Sequence, residues 1–404
     1  MATPSLAMIP TGFKAGKLYS VLPDNGTGDF DVTRATTATR VNEQGLIESM
    51  ANNVPRLDYT DGGCPVLLTE PQSTNLVPYS EDFSNASWVR VSSSVVSGQA
   101  SPSADSPTGA FKLVESSSGG NYHYLYTHIS STDNTLSIYA KKGENDKLCL
   151  YNSGSTKGIG FNLTTGTTFL VSGMNAPLYS KIEDFGNGWF RCSITNTSSF
   201  QIQLLLVNGT SINYTGDGTS GVYIFGAQLE ALPYATSYIP TNGSTVTRVK
   251  DIVNNAGDVN TFNSEEGVLF VEMAALSDDL SYRIITISDG TSSNRLYIQF
   301  SDISNKISAV TKVGGSTQGS VDYILTDETV LNKIAFKYKE DDFALYVNGV
   351  EVDVDTNGNS FTANTLSVLD FTAAGSTSNF FGKTKQLKVY KSIADAQVDL
   401  PYIT

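Results

Sequence analysis

Two histidines in 404 residues leave almost nothing for chemistry that depends on imidazole. A His-rich metal centre or a Ser-His-Asp relay would have to recruit His123 or His128, and no Gly-x-Ser-x-Gly elbow offers a nucleophile. Five residues apart in a strand-like segment, the two rings fall on opposite faces and do not share a metal. Cysteine is as scarce. Cys64, Cys149 and Cys192 are odd in number and far apart, unlike the dense even framework of a small disulfide-stapled domain, so they read as reduced thiols. Charged residues are thin at 16%, and the excess is acidic: 26 Lys and Arg against 40 Asp and Glu, a formal net charge of −14. Such a chain has no general attraction for phosphate backbones, and nucleic acid is excluded as an expected partner. No stretch reaches the roughly 18–20 apolar residues of a membrane helix, and MATPSLAMIPTGFK lacks a basic region leading into an apolar one. The expectation is a protein made in a cytoplasm, without membrane insertion.

Helical stripes are also missing. Apolar and aromatic residues recur at every second position, and Gly, Asn, Asp and Ser break the runs, which is the period of half-buried strands. TLSIYAKKG (135–143), GWFRCSIT (188–195), SFQIQLLLV (199–207) and GVYIFGAQLE (221–230) form one such set. EGVLFVEMAAL (266–276), YRIITISDG (282–290), RLYIQF (295–300), KISAVTKVGG (306–315), KIAFKYKEDDFALYVNGVEVDV (333–354) and QLKVYKSI (386–393) form a second. Many short strands without crossover helices predict antiparallel β-sandwiches. Residues 1–70, rich in Thr, Asn and Gly, hold only short apolar runs and read as an extended attachment region ordered by a neighbouring subunit. SYIPTNGSTVTRVKD (237–251) reads as a linker, with a boundary near residue 248. The expected fold is therefore all-β: an attachment region (1–70) and two antiparallel sandwiches (71–248 and 249–404).

VTRATTATRVNEQGLIE (32–48) and VPRLDYTDGGCPVLLTEPQSTNLVPYSEDF (54–83) resemble a segment found near the start of bacteriophage virion proteins. NASWVR (85–90), LSIYAKKGE (136–144), GNGWFRCSI (186–194) and GVYIFGAQLEALPYATSYIPTNGSTVTR (221–248) resemble the carbohydrate-binding-module-type jelly roll of phage tail and fibre proteins. Residues 262–404 are similar to the concanavalin A-like, laminin-G-like sandwich. The resemblance implies a non-enzymatic virion protein of tail-fibre or head-fibre type. It would be a homotrimer held to other virion proteins of head, neck or tail, and would meet a host cell-surface glycan. The alternatives are a glycan depolymerase of concanavalin A-like fold and a purely structural capsid or collar protein. Fold likeness alone does not choose among them.

Four groups of residues carry the candidate chemistry. Tyr122, Tyr124 and Tyr126 in NYHYLYTH alternate and would share one strand face, where aromatic rings can stack on the apolar faces of sugars. The competing reading is that they fill a core. Glu351, Asp353 and Asp355 alternate in EVDVD, about 6.6–6.8 Å apart along one face, a spacing of interest for retaining hydrolysis. Because Asn348-Gly349 just before them is a strong hairpin turn, an ordinary hairpin arm is the preferred reading. Asp353, Asp355 and Asn357 also open a D-x-[DN]-x-[DN]-G calcium pattern whose closing Glu is missing, so no cofactor is expected beyond a possible calcium. Arg34 and Arg40 could clamp acidic surfaces of a neighbouring virion subunit. Trp88 and Trp189 read as core plugs.

Overall fold

The computed structural model describes residues 3–117, 121–129, 134–196, 201–374 and 378–393. Among these every regular element is a strand, and the strands fall into two compact units. Met1–Thr37, Met50–Pro71 and Val249–Thr404 form a terminal unit, while Ala38–Ser49 and Gln72–Arg248 form an internal one.

In the internal unit two six-stranded antiparallel sheets enclose one core. The first runs Val89–Val91, Tyr124–Thr127, Ile202–Leu206, Lys147–Asn152, Lys157–Asn162, Thr167–Phe169. The second runs Ser93–Gln99, Ala110–Glu115, Gly221–Glu230, Asn134–Lys142, Trp189–Asn196, Tyr179–Asp184. Leu125, Leu148, Leu150, Phe161, Leu204 and Leu206 from the first sheet meet Leu113, Leu136, Ile138, Ile194 and Ile224 from the second. Alternate residues of each strand point inward, so the period-2 pattern becomes a sandwich. Trp88 is buried in this core and Trp189 in a smaller cluster around Tyr139 and Phe225, as core plugs should be. Cys149 and Cys192 are buried and free, and Cys64 is exposed and free. Burial pushes the two inner thiols well above the ordinary range, which leaves them inert.

The terminal unit packs an eight-stranded sheet against a five-stranded one. The larger contains Val350–Asp355, Phe343–Val347, Asn332–Lys339, Glu266–Ala275, Gly382–Tyr390, Val66–Thr69 and Leu57–Asp58, with Leu6–Met8 pairing to Gly382–Tyr390. The smaller runs Ser316–Ile324, Lys306–Val313, Arg295–Phe300, Arg283–Ser288, Val368–Asp370.

Three expectations are corrected here. The first 70 residues are not a detached arm. Leu6, Met8, Leu18, Phe30, Val32, Leu57 and Leu67 are buried in the terminal unit's core, and three strands of its eight-stranded sheet come from this stretch. The apolar runs are short because each supplies a single short strand to a sheet finished by distant sequence. Arg34 is the second correction. Its side chain is fully buried, its Nη1 donates to Asp251 Oδ1 at 2.9 Å, and its other nitrogens reach the carbonyls of Thr36 and Ala51. A guanidinium so enclosed cannot grip a neighbour. The third is the supposed linker at 237–251. Tyr238, Ile239, Thr241 and Arg248 are buried, and Val246–Arg248 pairs with Ser73–Asn75. Thr241 buries well because its hydroxyl is satisfied, Oγ1 donating to the Val77 carbonyl at 2.6 Å.

Candidate functional site: a tyrosine face on the internal sandwich

On the strand Tyr124–Thr127, Leu125 and Thr127 turn into the sandwich and Tyr124 and Tyr126 turn out. Registers across the sheet then fix two outer rows. One reads Tyr126, Gln203, Tyr151, Gly158; the other reads Tyr124, Leu205, Cys149, Gly160, Phe169. Tyr124 and Tyr126 lie 5.8 Å apart between ring centroids, and Tyr126 meets the exposed His128 edge-on at 5.0 Å. The half-buried Gln203 amide sits between Tyr126 and Tyr151.

Two glycines let the rings lie flat. A Cβ at Gly160 would stand 2.3 Å from the Phe169 ring, and one at Gly158 would stand 2.8 Å from both Tyr151 and the Met174 sulfur. Any side chain at either position would lift the aromatic layer off the sheet. Buried Cys149, Leu205, Val171 and Val207 form the floor beneath it.

The Tyr124 and Tyr151 hydroxyls remain neutral donors at ordinary pH. Burial, then Tyr126 alongside, pushes the Tyr124 phenol upward. Burial, then Cys149 and Tyr122, does the same for Tyr151. The result is an aromatic surface with an amide at its centre and phenol groups spread across it. Such a surface can stack on the C–H face of a sugar and hydrogen-bond its hydroxyls.

Tyr122 joins the group by a different route from the expected one. It does not share a strand with Tyr124: the chain breaks at His123, and Asn121–Tyr122 pairs with Asn213–Tyr214 in a ladder of its own. His123 is wholly buried there, with Nδ1 2.7 Å from the Ser92 carbonyl and Nε2 3.0 Å from that of Tyr214. Tyr122 is 48% exposed at the edge of the face. Tyr151, Gln203 and Phe169 were missed by the sequence reading. The period-2 placement of Tyr151 in KLCLYN and Gln203 in FQIQLLL was visible, but their adjacency to Tyr126 depends on pairings far apart in sequence.

EVDVD does not form one acidic face. Asn348-Gly349 makes the expected hairpin turn, with φ of 48° and 83°, but the ladder slips between Leu345 and Tyr346. This bulge places Glu351 opposite Tyr346, whose hydroxyl it accepts, and Asp353 opposite the core residue Leu345. Asp353 and Asp355 accept the backbone N–H groups of Asp322 at 2.8 Å and Ser320 at 3.1 Å, on the edge strand of the other sheet. The carboxylates thus clasp two sheets. Asn357 is exposed, and its N–H donates to Asp355 Oδ1 at 3.2 Å. Among the described residues no three His, Cys, Asp or Glu side chains are grouped to hold a metal. Arg40 lies on the internal unit and pairs with Glu48 at 3.0 Å.

No protein-family model and no curated protein sequence matches the chain. Among solved structures it is similar to the CBM40 of a Ruminococcus gnavus IT-sialidase bound to α2,3-sialyllactose, at 14% identity and a TM-score of 0.30, over 35% of this chain and 83% of that one. It is also similar to domains LG4-5 of the mouse laminin α1 chain, at 10% identity and a TM-score of 0.24, over 79% of this chain and 89% of that one. Likenesses at these TM-scores add nothing to the reading of the site.

Proposed function

We propose that this chain is a bacteriophage virion protein, of fibre or decoration type, that recognises a host-surface glycan through the outer tyrosine face of its internal sandwich. The observation that carries the glycan reading is the row Tyr126, Gln203, Tyr151 on a sheet face away from the core, flanked by Tyr124 and the exposed Tyr122. Buried tyrosines would serve packing alone, whereas these half-exposed ones present rings and hydroxyls together. Support for the virion setting is the resemblance carried by residues 32–83 and 221–248. A single shallow sugar site binds weakly, so a homotrimer repeated over a particle would gain avidity from copy number.

Against the depolymerase alternative stands the bulge at the acidic hairpin, which turns Glu351 away from Asp353 and Asp355. Incubating the full chain with host-envelope polysaccharide, while measuring both retention and new reducing ends, tests the reading. Retention without new reducing ends is expected. New reducing ends would establish hydrolysis instead, and failure to retain any polysaccharide, with a blank glycan array, would leave the structural collar or capsid role.

A further inference from the structure

The terminal unit carries a second surface of unexplained chemistry. On the outer face of its five-stranded sheet a pocket of about 180 Å³ lies among Tyr282, Arg295, Tyr297 and Gln299. That is below the ~300–1,000 Å³ of sites for drug-sized ligands, and so suits one ring rather than a chain. Arg295 lies over the Tyr297 ring, its guanidinium carbon 5.0 Å from the centroid. Its Nη1 donates only to the Ala374 carbonyl at 3.4 Å, while its buried Nε has no hydrogen-bond partner. Directly opposite on the next strand stands Lys312. Among the described residues no carboxylate pairs with either cation, although the whole chain carries fourteen more acids than bases. Like charges facing each other across a ladder repel, and a buried guanidinium N–H without an acceptor is costly. An anion in the pocket would offset the repulsion between the two cations.

The pocket's walls limit what that anion is. Tyr282 is 47% exposed and lines the pocket, with Asp302 near its hydroxyl. Tyr297 supplies a second ring, and Gln299 an amide that can both donate and accept. A bare inorganic anion uses none of these apolar walls. We propose that this pocket binds a saccharide residue bearing a carboxylate, the carboxylate on Arg295 with Lys312 opposite adding to the positive field, and the ring against Tyr282. This goes beyond the tyrosine face, lies in the other unit, and stands or falls without it.

The test is calorimetric titration of the full chain with methyl β-D-glucuronide, methyl β-D-glucoside and acetate. It is repeated in a Tyr126→Ala/Tyr151→Ala background, so that the first face contributes nothing. The glucuronide is expected to bind at least about tenfold more tightly than either the glucoside or acetate, and Arg295→Gln to weaken it about tenfold, as for loss of a charge-assisted hydrogen bond. Tyr282→Ala, at an exposed position that folding does not need, is expected to weaken the glucuronide and leave acetate unchanged. Equal binding of glucuronide and glucoside, equal binding of glucuronide and acetate, or glucuronide binding indifferent to both substitutions would overturn the proposal.

Discussion

Asp251 is the residue on which the terminal unit's chain entries converge. Its Oδ1 accepts from Arg34, its Oδ2 accepts from Arg56, and Arg56 Nη1 also reaches Glu70 Oε2 at 2.5 Å, all four side chains being buried. Residues from three separated stretches of sequence are joined in this way. Removing one partner from a buried ionic group leaves an uncompensated charge, so Asp251→Asn is expected to lower unfolding free energy by about 3–5 kcal/mol in urea denaturation. A loss below ~1 kcal/mol would show that the network adds nothing. Glu328 behaves in the opposite sense. Burial, then Asp278 nearby, pushes its carboxyl up to about 7, while Arg283 at 3.9 Å only partly compensates. The fold therefore favours the protonated acid. That stabilisation is fully present below the unfolded value near 4.5 and is lost as pH rises through about 7. The melting temperature should fall between pH 5 and 8, and Glu328→Gln should flatten that fall; parallel profiles would contradict this. Of these residues only Arg34 stood out in the sequence, and for a different role, because a lone Asp or Glu in a loop does not announce the arginine that will meet it.

Strands were the most legible elements. Alternation placed Glu266–Ala275, Arg295–Phe300 and Trp189–Asn196 within a few residues of where they fold, and Asn348-Gly349 marked its turn. Alternation fails where one residue is inserted. The bulge at Val352 turned a supposed acidic face into one outward Glu351 and two inward aspartates. Because Asp353 and Asp355 hold backbone amides of the neighbouring sheet, replacing both with alanine should lower the melting temperature of the terminal unit by several degrees. Excess EDTA should leave the wild-type value unchanged. A marked EDTA shift would instead establish the calcium reading. The break at His123 is the other local failure. A buried imidazole between two carbonyls interrupts NYHYLYTH, and no periodicity in the sequence foretells it.

At the scale of the chain, segment membership was the least legible feature. Composition made residues 1–70 look unable to fold, yet their seven core side chains stabilise the terminal unit by on the order of 10 kcal/mol, comparable to a whole domain's net stability. Residues 249–404 expressed alone are accordingly expected to lack a cooperative thermal transition, while the full chain shows one. The tyrosine face was half legible, its Tyr124–Tyr126 pair explicit and its Tyr151 and Gln203 hidden in long-range pairing. Its role is tested most directly by measuring how the Tyr126→Ala/Tyr151→Ala protein binds host-envelope polysaccharide beside its melting temperature. Loss of two stacking rings predicts binding at least about tenfold weaker with melting nearly unchanged. Undiminished binding, or a loss matched by unfolding, would contradict the assignment of this face to recognition.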